Sequence, residues 1–327
     1  MSNRRKLIVA IGGSAFAVPL FSFAQQLPKV YRIGFLSSEL PSTWADRVEA
    51  LRTGLREFGY VEGRNILIEF RWAEGKMDRL PDLAAELVRL KVDIIVTHGV
   101  LGARAATHAT ATIPIVCASA ADLVVAGIVT SLARPGGNIT GSILFSPEVA
   151  AKQLELLREA LPRAKRIGVL LNPGNPANAL QLEAMEPAAK ELKIDLQQFE
   201  ARGSSEFNAA FSAMAKARVD SIIILGVTLV IASVKEIADL ALKQRLPSIG
   251  PKDFVNAGGL MAYDINRSEQ WRRAAYFVDR IFKGAKPGDL PIERPTKFEM
   301  VVNIKTAKAL GITFPQSILV RADKVIE

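Results

Sequence analysis

The chain has 327 residues, of which 49% are hydrophobic and 23% charged, enough for two ordinary cores and inconsistent with a disordered or fibrous protein. Its formal net charge of +9 overstates what the folded protein carries, because Arg4, Arg5 and Lys6 fall in a segment expected to be removed. The other lysines and arginines are interleaved with Asp and Glu in nearly every helical stretch, the pattern of a solvated surface and not of a nucleic-acid groove.

Residues 1–24 begin with those three cations, continue through an apolar stretch over 7–23, and end in Ser22-Phe23-Ala24, a small-x-small sequence before Gln25 and Gln26. This is the layout of a secretory signal peptide cleaved near Ala24. A stretch of about 18 apolar residues also just suffices for a retained anchor, although Gly12, Gly13, Ser14 and Pro19 weaken a spanning helix. Arg4-Arg5 loosely resembles a twin-arginine signal with poorly matching flanks, and either export route leads out of the cytoplasm. The single cysteine, Cys117, rules out an internal disulfide and does not follow the leader directly, where a lipid would be attached.

Residues 31–36 form a short apolar run, read as a buried strand, ending at Ser37-Ser38. Val48, Leu51, Leu55 and Phe58 recur at helical spacing up to Gly59. Residues 65–72 alternate, with Ile66, Ile68 and Phe70 on one face of a strand. Leu80, Leu83, Leu87 and Leu90 mark a second helix, 92–97 a third strand, 103–109 an Ala-rich helix and 113–117 a fourth strand. Such alternation implies right-handed crossovers and a parallel sheet.

Residues 122–142 then redirect the chain at Pro135-Gly136-Gly137, a hinge candidate. Ser146-Pro147-Glu148 opens the next helix, with the serine as cap and the proline in the first turn, and Leu154, Leu157 and Leu161 form its buried stripe. Strands at 166–171, 195–200, 221–225 and 247–249 alternate with helices near 177–192, 205–217 and 230–244. Residues 258–263 form a turn and strand that lead back toward the first half, followed by a helix lined by Trp271, Ala274, Ala275, Val278 and Phe282. The tail reads as a strand over 297–302, a short helix over 305–310 and a last extended stretch over 314–320, all placed on the second half.

The two halves look like copies. R-I-G-F-L at 32–36, V-D-I-I-V-T-H-G at 92–99 and I-P-I-V at 113–116 return as R-I-G-V-L at 166–170, V-D-S-I-I-I-L-G at 219–226 and L-P-S-I at 246–249, at offsets of 134, 127 and 133 residues. Periods this long point to duplication of a whole lobe and not to a solenoid.

In open parallel sheets, ligands meet the loops at the carboxyl ends of the strands. That rule selects Ser37, Ser38, Thr97, His98, Gly99, Ser119, Ala120 and Asp122 from the first half. From the second it selects Asn172, Asn175, Gly226, Thr228 and Asp253, with Asp264 near the return. Helix starts at Ser37-Ser38, Ser119 or Asn175 offer backbone N–H groups to a ligand carboxylate, and Asp122 offers a partner to an ammonium or hydroxyl. The same serines, asparagines and Asp122 also suit helix capping, Asp253 and Asp264 suit turns, and His98 suits a loop or cap. No G-x-S-x-G elbow, H-E-x-x-H, P-loop or dinucleotide fingerprint is present. Two histidines and one cysteine cannot build a His/Cys metal cluster, so neither metal nor cofactor is implied.

The strings G-L-R-E-F-G-Y-V-E-G-R-N-I at 54–66, R-W-A-E-G at 71–75, T-I-P-I-V at 112–116, L-A-R-P-G-G-N-I-T-G at 132–141, G-L-M at 259–261, P-T-K-F-E at 295–299 and R-A-D-K-V-I at 321–326 together resemble the ABC-transporter substrate-binding family that includes the tryptophan/tyrosine-type binding proteins. The resemblance implies a type I periplasmic binding protein, an α/β fold of two Rossmann-like lobes with parallel sheets joined by a multi-strand hinge. The lobes would comprise 30–141 with 264–285 and 142–263 with 286–327. It also implies a monomeric, non-enzymatic periplasmic receptor that holds a small molecule, an amino acid or related carboxylate, in the cleft and serves an inner-membrane ABC permease. Members commonly carry Asp-Pro where this chain has Asp122-Leu123, and Leu-Met-Ser-Tyr-Gly where it has Leu260-Met-Ala-Tyr-Asp264, a change that removes a hydroxyl and adds an acid. The alternatives are a sensory binding protein presenting its ligand to a receptor, and a secreted hydrolase or isomerase using Asp122 and His98 as acid and base.

Overall fold

The structure, a computed structural model, describes residues 29–144, 146–225 and 227–327, and omits the side chains of residues 176 and 227–232. The expected signal peptide and Gly226 lie outside the described residues, as does the side chain of Thr228. Among the described residues no helix is long and apolar enough to cross a membrane.

The strands form two sheets. The first contains β1 (Tyr31–Ser37), β2 (Ile66–Trp72), β3 (Ile94–Thr97), β4 (Ile115–Ala120) and β5 (Ile139–Ile143) in the order β2-β1-β3-β4-β5, all pairings parallel. Helices α1 (Pro41–Glu57), α2 (Leu80–Arg89) and α3 (Gly99–Ala109) are its crossovers. Apolar clusters fill both faces, one with Leu83, Leu87 and Ala106, the other with Phe35, Leu51 and Leu55. Two covered faces explain why these strands read as continuous apolar runs.

The second sheet repeats that order. Strands β6 (Arg166–Leu171), β7 (Asp195–Glu200), β8 (Ser221–Ile224), β9 (Ser248–Gly250) and β10 (Met261–Ile265) run β7-β6-β8-β9-β10, with helices α4 (Glu148–Ala160), α5 (Pro176–Leu192), α6 (Ser204–Ala217), α7 (Val227–Lys243) and the short α8 (Lys252–Asn256) around them. Beyond β10 the sheet extends through antiparallel β11 (Phe298–Asn303) and parallel β12 (Lys324–Ile326). Helices α10 (Ile304–Leu310) and α11 (Gln316–Arg321) complete this lobe.

The chain passes between the lobes three times. After β5 it enters α4, whose Leu154 and Leu157 pack in the second lobe. After β10 it enters α9 (Arg267–Phe282), whose Trp271, Ala274 and Val278 pack in the first. Each lobe therefore receives a helix from the last shared strand of the other. The third passage runs beside β5, where Glu293 N–H donates to Gly141 O at 2.9 Å and Ile143 N–H donates to Glu293 O at 3.0 Å. Gly54 permits the contact of α1 with α9, since a Cβ there would lie 2.3 Å from Arg272 O.

Three local expectations are corrected. The cap position of α4 is Pro147, not Ser146, and Ser146 Oγ instead donates to Glu148 Oε2 at 2.9 Å. Residues 314–320 are not extended: Pro315, with its fixed φ, stands immediately before α11, and Ile318 buries that helix in the second core. Asp253, expected in a loop, belongs to the short helix α8.

Candidate ligand cleft

The carboxyl ends of β4, β6 and β8 open onto one cleft of about 670 Å³. The first lobe contributes Val100, Asp122, Val125 and Ala126. Leu144 and Ser146 line it at the first crossing, and the second lobe adds Val149, Gln153, Asn172, Asn175, Leu180 and Asp264. Val125 is 71% exposed and Leu180 45%, so apolar surface faces solvent at the two walls. The cleft is suited to a solute with an apolar body and a few hydrogen-bonding groups.

Local chemistry fixes the polar lining. Asp122 Oδ1 accepts from Val124 N–H at 2.8 Å and Val125 N–H at 3.2 Å, shaping the turn after β4. Asn172 Oδ1 accepts from Gly174 N–H at 2.9 Å, and Asn175 caps α5 by accepting from Ala177 N–H at 3.1 Å. Asp264 accepts from Lys252 N–H at 3.2 Å and from its own neighbour Ile265 N–H at 2.7 Å. On α4, Gln153 Nε2 donates to Tyr263 O at 2.9 Å. Asp122 and Asp264 supply negative charge from opposite lobes, and no Lys or Arg is among the described lining residues. At the amino end of α3, His98 makes no side-chain cap, so the first-turn N–H groups beside Val100 have no side-chain acceptor from that position.

Of the residues expected from the sequence, Asp122, Asn172, Asn175 and Asp264 come together at this cleft. Ser37, Thr97, His98, Ser119 and Ala120 are instead buried. Thr97 Oγ1 donates to Leu36 O at 3.0 Å, and Ser37 Oγ is hydrogen-bonded to His98 Nε2 at 2.9 Å. Trp44 stacks on the His98 ring with centroids 4.0 Å apart, and the Arg47 guanidinium lies 4.4 Å over Trp44. Burial first, and the Arg47 charge second, push the His98 pKa down to about 4. His98 is therefore a neutral, packed side chain, and the structure does not bring it to the cleft with Asp122. Ser38, Gly99 and Asp253 are partly or fully exposed but do not line the cavity.

Gln153, Gln181 and the apolar wall of Val125, Leu144 and Leu180 were not anticipated. Gln153 had one signal, a polar residue beside Leu154 on the buried stripe of a helix. A second depression, about 780 Å³, runs along α6 and α7 past Lys235, Glu236, Asp239 and Lys243. It lies on outward helical faces, away from the strand ends.

A model of the family described as ABC transporter substrate binding protein matches residues 39–326. A curated protein named tyrosine-binding protein, from Clostridioides difficile, is 30% identical over 259 residues, covering 79% of this chain and 74% of that protein. Among solved structures, a ligand-free, open substrate binding protein with adhesive properties from Clostridium difficile superposes with a TM-score of 0.79 at 26% identity, covering 91% of this chain and 99% of the other. An ABC domain in complex with L-Trp from Streptococcus pneumoniae gives 0.75 at 26% identity, covering 90% and 99%.

Proposed function

The chain belongs to the ABC transporter substrate binding protein family, and from that premise we propose that it is an exported receptor which holds an amino acid with an apolar or aromatic side chain between its lobes. Its fold is that of the type I periplasmic binding proteins. The observation that carries the reading is the cleft itself: strand ends of both lobes, each with one carboxylate and apolar side chains, face one cavity of about 670 Å³. The relatives' printed ligands, tyrosine and L-Trp, support an aromatic amino acid.

A ligand touching both walls favours the form in which both sets of bonds are made. A few bonds of about 1 kcal/mol each shift a hinge equilibrium by tens to hundreds of fold. In this reading the lobes, the first sheet with α9 and the second sheet, including Asp264 on β10, with α4, close as bodies about the three crossings, and the closed monomer docks on an inner-membrane permease from the periplasm after cleavage near Ala24.

Thermal-shift and calorimetric titration against the twenty amino acids and a set of small carboxylates tests the proposal. Saturable binding of tyrosine or tryptophan is the expected result. The absence of any ligand-dependent shift across the panel would overturn it.

A further inference from the structure

Helices α1 and α9 lie side by side on the first lobe, with Trp44 against Trp271 at 5.3 Å between ring centroids and Gly54 against the Arg272 backbone. Both begin toward the second lobe: α1 follows the carboxyl end of β1, on the side where the cleft opens, and α9 follows the crossing from β10. Arg47 precedes Gly54 by about two turns and Arg267 precedes Arg272 by about one and a half, so the two arginines stand near one level of the helix pair. The Arg47 guanidinium lies 4.4 Å over Trp44, which stacks on His98 at 4.0 Å, and His98 Nε2 is hydrogen-bonded to Ser37 Oγ at 2.9 Å. This stack holds the Arg47 side chain in place. Both arginines are half-buried, and neither has an ion-pair partner among the described residues.

Asp253 belongs to the other lobe. Lys252 N–H donates to Asp264 Oδ2 at 3.2 Å, which fastens the first turn of α8 beside the crossing that leads into α9 at Arg267. Asp253, the next residue, is exposed and also lacks an ion-pair partner among the described residues, while Lys252 Nζ is committed to Glu299 at 2.8 Å. Burial first, and the Arg267 charge second, hold the Arg47 guanidinium below its ordinary range; the strongest opposing charge is Asp253, ahead of Asp46 and Glu39 of the first lobe. A carboxylate of the second lobe thus acts on Arg47 more strongly than its own sequence neighbour does. Two half-buried like charges side by side are unfavourable until a counter-charge reaches them. Because Arg47 is already stacked and largely desolvated, pairing it costs little further side-chain freedom or hydration.

We propose that Arg47 and Arg267 of the first lobe and Asp253 of the second form an interlobe latch, in which closure brings the Asp253 carboxylate onto the two guanidiniums whatever solute the cleft holds. The latch rests on the reading of the protein as a receptor that closes over its ligand, and adds to that reading a closing interaction made by the protein alone. Its groups lie outside the cavity lining, so it stabilises the closed form equally for every ligand. It sets affinity and leaves selectivity to the cleft. Being partly exposed, it weakens as salt rises.

Two measurements on the purified protein test this. In calorimetric titration with L-tyrosine and L-tryptophan between about 20 mM and about 500 mM NaCl, Asp253→Asn is expected to weaken both ligands by the same factor, about fivefold at low salt, and to flatten the salt dependence. Asp46→Asn, which removes the carboxylate on Arg47's own helix, is expected to change neither. The second measurement needs no ligand panel: Arg47→Cys combined with Asp253→Cys is expected to form an interlobe disulfide under mild oxidation, with Cys117, buried in the first core, as the only other thiol. If tyrosine and tryptophan bind but Asp253→Asn and Asp46→Asn alter affinity and salt dependence alike, or if Asp253→Asn alters neither, the latch fails and the receptor reading survives. If neither amino acid binds, the amino-acid reading fails and the cysteine pair decides the latch: cross-linking supports it, and its absence overturns it.

Discussion

The two lobes share a strand order, β2-β1-β3-β4-β5 against β7-β6-β8-β9-β10, yet they are held together differently. In the first, α9 brings Trp271 against Phe35, Trp44 and His98, with ring centroids 5.6, 5.3 and 5.8 Å away. In the second, α4 brings Leu154 and Leu157 into a mostly aliphatic cluster with Ile167, Val169 and Met185. Gln270-Trp271 and Gln153-Leu154 are the corresponding pairs on the exchanged helices. On one shared strand order, a few differing positions make one lobe an aromatic anchor and the other the richer wall of the cleft.

The largest effect that would sharpen this contrast is at Trp271. It is 0% exposed, and Trp271→Ala is expected to cost about 4 kcal/mol in denaturant unfolding, against about 3 kcal/mol for Leu154→Ala, the buried counterpart on α4. Equal losses would show that the aromatic cluster adds nothing beyond ordinary core burial.

His98 comes next. Its folded pKa of about 4 lies below the ordinary 6.5, so the unfolded chain binds its proton first as the solution is acidified. The stability associated with the neutral ring is complete above pH 6.5 and is lost between 6.5 and about 4, by roughly 3 kcal/mol. Urea midpoints at pH 7.5 and 4.5 should therefore differ more for the wild type than for His98→Gln. Identical pH dependence in the two proteins would place the acid sensitivity elsewhere.

Gly54 tests the helix exchange directly. A Cβ at that position meets the Arg272 backbone, so Gly54→Ala is expected to push α1 from α9 at a cost of about 2 kcal/mol, read as a lowered melting temperature. An unchanged melting temperature would mean that the two helices shift apart freely.

The smallest expected effect bears on the cleft. Asp122→Asn and Asp264→Asn, one on each wall, are each expected to weaken amino-acid binding about tenfold with little change in unfolding midpoint. A loss confined to one variant would assign ligand charge recognition to a single lobe.

Much of this architecture was legible in the sequence. Apolar runs such as 32–36 and 166–170, spaced by helical stripes, specify buried parallel strands because both faces of each sheet are covered. The return of the chain to the first lobe after Tyr263 was also readable, since Trp271, Ala274 and Val278 needed a core to enter. The last turn of structure was not: Pro315 punctuates the sequence in the same way before a helix as before an extended tail, and only the burial of Ile318 selected the helix. At the candidate site, the strand-end rule found Asp122, Asn172, Asn175 and Asp264 but also selected Ser37, Thr97 and His98, which the packing of Trp44 and α3 turns into core.

What the sequence alone determined is the repeated alternation of strands and helices and the presence of acids and amides at strand ends, because periodicity and turn chemistry are local. Which of those side chains share a cavity was decided by tertiary structure. The crossing from β5 to α4 places Gln153 beside residues from both lobes, the equivalent crossing from β10 to α9 buries Gln270 against Ile143 of β5 and outside the described lining of the cleft, and that difference depends on contacts between segments more than a hundred residues apart.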